Sequence, residues 1–173
     1  MDLTTINGLP AHVLLVHFVV VLVPIAAIML LFAVAWPAAR RRLGIATPIV
    51  ALVTLILVPL TTDAGEWLQR RVPRDPLVQV HAELGDQLSF WSFGVFAVAA
   101  AWWLLHDDRF TTLLAAKAER LTTLVVSKGV AITLIAAAVI LSVGSVVQEY
   151  RIGDSGANAA WHARVTSALP ATR

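Results

Sequence analysis

No cysteine occurs among the 173 residues. That absence excludes disulfides, thiol catalysis, iron–sulfur clusters and covalent haem attachment through a Cys-x-x-Cys-His run. Charge is scarce as well. Asp, Glu, Lys and Arg make up 14% of the chain, where a soluble domain carries roughly a quarter. No P-loop, dinucleotide fingerprint, nucleophile elbow or His-Glu-x-x-His zinc motif is present, so no catalytic residue set is expected. The formal charge of +2 comes from arginines that flank apolar segments, and no nucleic-acid partner is expected from it.

What the chain has in abundance is apolar surface, with 58% hydrophobic residues and a mean hydropathy of +0.79. About 20 apolar residues cross the hydrocarbon layer of a bilayer. Four segments meet that length, at about 11–36, 43–62, 77–105 and 121–148. They predict an all-α integral membrane four-helix bundle forming a single domain, with the lipid bilayer as its surroundings. No sequence repeat is evident. Residues 149–173 read as a short tail, glycine-rich enough to turn back and cap the bundle.

Ala33-Val34-Ala35 has the small-x-small form of a signal-peptide cleavage site. However, no basic residue precedes Ala11, and Arg40-Arg41-Arg42 follows the segment as in a stop-transfer sequence, so the first helix is expected to remain. Basic residues near short loops favour the cytoplasmic side. The triple arginine therefore places both termini on the outer, extracytoplasmic side of an inner (plasma) membrane.

On this topology three of the five histidines fall at the outer edge of the bundle. His12 and His17 lie in the opening turns of the first segment and His81 opens the third. An ionisable group at membrane depth is costly without a partner, so each is a candidate site residue. Five residues at 100° each separate His12 and His17 by about 140° around the axis, so an undistorted helix cannot aim both at one site. His17 lies about 7 Å deeper, which favours it over the interfacial His12. His81, Gly85, Ser89 and Ser92 form a small and polar stripe expected to face the interior, with Gly85 leaving space beside the imidazole.

Two imidazoles from facing helices suit both axial positions of a b-type haem, which points to His17 and His81 as ligands with His12 in support. Electrons would then pass at the outer face to a quinone or a neighbouring respiratory complex. A second reading is a divalent-metal or proton-handling site built from His12, His17, His81, Asp63 and Glu66. In that stretch Asp63 and Glu66 are more simply read as ion-pair partners of Arg70, Arg71 or Arg151. A third reading is a non-catalytic accessory subunit, docked onto another membrane protein through the face of Gly129, Thr133, Ala137 and Leu141.

The run Gly8-Leu-Pro10-Ala-His12-Val-Leu-Leu-Val16-His17-Phe18 resembles the opening motif of a prokaryotic membrane family known as domain of unknown function 2231. Thr62-Asp63-Ala64-Gly65, Val80-His81-Ala82-Glu83-Leu84-Gly85 and Arg151-Ile152-Gly153-Asp154-Ser155-Gly156-Ala157 also look like features of that family. The resemblance runs from Gly8 to about Trp161. Val19 stands where the family usually has proline. The resemblance implies a bacterial four-helix integral membrane protein, and a comparison with small membrane b-type cytochromes at the level of fold.

Overall fold

The computed structural model describes residues 5–6, 8–108, 110–112 and 127–168. A two-residue antiparallel ribbon, β1 (Thr5–Ile6) and β2 (Leu9–Pro10), leads into α1 (Ala11–Ala35). Its turn is made at Gly8, whose φ of +79° is open to glycine at little cost. Then follow α2 (Pro37–Leu43), α3 (Ala46–Gln69), α4 (Pro76–His106) and α5 (Lys128–Ala168).

Prolines and caps set several of these boundaries. Trp36 is extended, as the residue before a proline tends to be, and Pro37 opens α2. Arg40, Arg41 and Arg42 occupy the last turn of α2, where cations meet the negative end of the helix dipole. Asp75 caps α4 by accepting the Leu77 N–H at 2.8 Å, and Pro76 takes the first helical position. Pro59 lies inside α3 without ending it. The Thr61 and Thr62 hydroxyls donate to the Leu57 and Pro59 carbonyls beside it.

Among the described residues four helices, α1, α3, α4 and α5, are long and apolar enough to cross a membrane, as in a multi-pass membrane protein. They pack in a square. α1 packs on α3 and α5, and α4 also packs on α3 and α5. α1 and α4 touch only sparingly across one diagonal, and α3 and α5 occupy the other. Mid-bundle, Ala26, Leu30, Ala51, Ala99 and Ala138 bring the helices close, which is how packing rather than water expulsion holds helices together in lipid. A second cluster of Val19, Val23, Val58 and Leu88 lies nearer the end where α1 begins. Phe18, Ile28, Phe32, Phe90, Phe93 and Ile140 project outward, as lipid-facing side chains do.

The helix bounds differ from expectation in two places. α3 runs beyond residue 62 to Gln69, so Asp63 and Glu66 are helical. Residues 149–168 continue α5 instead of forming a tail that folds back. Glycine costs a helix interior about 1 kcal/mol relative to alanine, and Gly153 and Gly156 are carried there because this stretch packs against α4. The expected beginning of the fourth helix at 121–126 lies outside the described residues.

A paired-histidine cavity at one end of the bundle

The start of α1, the end of α3, the start of α4 and the later turns of α5 converge at one end. A cavity of about 600 Å³ opens there, within the range of small-molecule and cofactor sites. Its walls are mainly apolar, with Val16, Val19, Val58 and Leu88 toward the interior and Glu66, Gln69 and Asp86 as polar members. His12 and His81 line it from the two diagonal helices. Their ring centres are 6.3 Å apart and their planes cross at 81°.

Each ring is oriented by the second helix of its own hairpin. The His12 Nδ1–H donates to the Thr61 carbonyl of α3 at 2.9 Å. The His81 Nδ1–H donates to the Ile152 carbonyl of α5 at 3.1 Å, and lies 3.2 Å from Ser155 Oγ. A carbonyl oxygen only accepts, so both Nδ1 atoms carry the proton. In the neutral ring the free lone pair then sits on Nε2, the arrangement that a carbonyl partner commonly imposes on ligating histidines.

His17 is not brought to this cavity. It is exposed on the outer surface of α1, and its Nδ1–H donates to the Val13 carbonyl of its own helix at 2.6 Å. The 140° separation holds, and the helix turns His12, not the deeper His17, toward the interior. Depth along a helix does not decide which face a residue occupies.

Glu66 lines the cavity, but its carboxylate accepts from Arg70 at 3.3 Å on the exposed side, the expected ion pair. Asp63 is exposed and does not line the cavity. Among the described residues no three or more of His, Cys, Asp and Glu come together as a metal-binding group. Gly85 contributes to the cavity wall, yet its nearest neighbour is Thr62 and not His81. Ser92 is buried, as the stripe on α4 predicts. The docking face expected on α5 is partly used within the bundle, where Leu141 lies over Gly94 of α4.

Thr61, Ile152 and Ser155 hold the rings and carried no signal of that role. Two are backbone carbonyls, and they lie 49 and 71 residues from the histidines they meet. No family model matches the chain, and neither a curated protein nor a solved structure does so at a significant level.

Proposed function

We propose that this chain is a membrane-embedded cofactor protein in which His12 and His81 would hold a single b-type haem. The observation that carries the reading is the pair of imidazoles brought into one cavity from diagonal helices, with each Nδ1–H tied to a carbonyl of a neighbouring helix. An imidazole nitrogen sits about 2.0 Å from a metal it ligates, so one metal held end to end between two imidazoles puts the ring centres about 6 Å apart. The observed 6.3 Å is compatible with that spacing. The apolar walls would keep water from the two ring faces, and burial of this kind tunes a haem's potential. At the polar edge, Arg70 beside Glu66 offsets the acidic lining.

A bound haem would supply one-electron transfer. The chain's own residues orient the imidazoles across the bundle diagonal and line the space between them with mainly apolar side chains. The triple arginine at the far end of α1 supports a cavity end on the extracytoplasmic side of a bacterial plasma membrane. Electron exchange with a quinone or a respiratory partner would take place there. The likeness to domain of unknown function 2231 in the opening motif and around His81 is consistent with a membrane role and adds no ligand of its own.

The test is a dithionite-reduced minus oxidised visible spectrum of the detergent-purified full chain, expressed with ample haem precursor. The reading predicts a sharp b-type α band. His12→Ala and His81→Ala each lose it, and His17→Ala keeps it. Loss of the band in His17→Ala alone would contradict the assignment. A protein without haem that copurifies with a stoichiometric divalent ion would favour the metal reading.

A further inference from the structure

The two histidines stand in the same surroundings twice over. On α3, the carbonyl that holds His12 belongs to Thr61, and Gly65 follows four residues later. On α5, the carbonyl that holds His81 belongs to Ile152, and Gly156 follows at the same interval. A Cβ built on Gly65 would lie 2.9 Å from the His12 ring, and one on Gly156 would lie 3.0 Å from the His81 ring. Thr61-Thr62-Asp63-Ala64-Gly65 thus matches Ile152-Gly153-Asp154-Ser155-Gly156, with aspartate, a small residue and glycine in register.

The correspondence extends down the helices. When His12 is laid on His81, the buried Val19, Val23, Ala26, Leu30 and Ala33 of α1 fall on Leu88, Ser92, Val95, Ala99 and Trp102 of α4, all buried too. When Gly65 is laid on Gly156, Thr47, Ala51 and Thr54, three of the seven buried residues of α3, fall on the buried Ala138, Ser142 and Ser145 of α5, while Pro48 falls on the exposed Val139. The square packing agrees. A half-turn about the bundle axis exchanges the diagonal partners α1 and α4, and likewise α3 and α5. Such parallel repeats, related by an axis along the membrane normal, are a known way of building membrane proteins.

We infer that the cavity is assembled from two copies of one helical-hairpin unit, α1–α3 and α4–α5, with Gly65 and Gly156 as the positioning residues that seat the two imidazoles. This rests on the paired-histidine site of the preceding section and deepens it. A two-fold site presents the same donor from opposite sides, so it suits a flat ligand with two equivalent faces, the metalloporphyrin class, over a ligand that is gripped from one side. The glycines are required because each ring occupies the space a side chain would fill. Around the histidines the two halves differ at Ser155. Ser155 Oγ approaches His81 Nδ1 while donating to the Ile152 carbonyl at 2.9 Å, and the matching position holds Ala64. Ser155 therefore makes the two imidazoles unequal.

The test uses the full chain in detergent with ¹⁵N-labelled histidine and without added haem, reading the Nδ1–H resonances. Gly65→Ala should displace the His12 resonance and leave that of His81. Gly156→Ala should do the converse. Ser155→Ala should move the His81 resonance toward that of His12, and Ala64→Ser should move His12 toward His81. Glycine variants that move both rings alike, or neither, would overturn the inference. If the glycine variants do not fold, the Ser155 and Ala64 pair decides, and the lack of reciprocal movement overturns it. These resonances do not depend on haem. A wild-type protein that responds as described but binds no haem would refute the haem reading alone. A haem protein whose resonances do not respond would refute the two-unit reading alone.

Discussion

At the scale of single residues, facing matters more than depth. Spacing along α1 shows that His12 and His17 cannot share a site, and it does not show which of them turns inward. The choice is made by tertiary contacts, because the end of α3 offers the Thr61 carbonyl to His12 while His17 has only the Val13 carbonyl one turn back. Other buried polar side chains are tied across helices in the same way. The Trp102 indole N–H donates to the Ala33 carbonyl at 3.0 Å, and Gln148 Nε2 donates to the Leu84 carbonyl at 2.7 Å. Interhelical hydrogen bonds in membranes contribute about 0.6–2 kcal/mol. Gln148→Leu removes the donor and should destabilise the protein by about that amount, read as an earlier midpoint in reversible unfolding from mixed micelles. An unchanged midpoint would show that the α4–α5 contact does not depend on this bond.

At the scale of elements, four spans are legible in the sequence because apolar length is a one-dimensional signal. The ends of α3 and α5 were not, because polar residues such as Asp63, Glu66 and Asp154 read as loop when they are only the emergent turns of longer helices. α5 offers a paired prediction about its glycines. Gly144 is covered by the Trp91 ring of α4, and an added Cβ would overlap it, whereas Gly153 has open space around it. Gly153→Ala should stabilise by up to about 1 kcal/mol, because alanine is the better helix former. Gly144→Ala should destabilise by about 1–3 kcal/mol through overpacking. Thermal unfolding of both variants in one detergent checks the contrast. Equal shifts would mean that Gly144 does not mark a close approach of the helices.

At the scale of the whole molecule, the site lies where both hairpins meet, on the diagonal of the square and not between sequence neighbours. That is why its membership was only partly legible. His12, His81 and Glu66 stand out as polar residues at the edges of apolar segments, while the cavity that joins them is a property of the packing. The duplication is hidden for a similar reason, since it survives in which positions are buried and in one short Asp-small-Gly run, with little identity elsewhere. Sidedness is testable directly because the chain has no cysteine. Arg42→Cys and Arg74→Cys each introduce a lone thiol at opposite ends of the bundle. With the cavity end outside, a membrane-impermeant maleimide added to intact cells should label Arg74→Cys and not Arg42→Cys. The reverse pattern would place the histidine cavity on the cytoplasmic side.

The proposed pairing of His12 with His81 around one cofactor is open to a direct test. Its most direct measurement is a haem titration of the purified apo-protein, followed by the Soret absorbance, with the wild type and three single variants side by side. Saturation at one haem per chain is expected for the wild type and for His17→Ala, and no saturable low-spin spectrum for His12→Ala or His81→Ala. Wild-type-like binding by both His12→Ala and His81→Ala would contradict it.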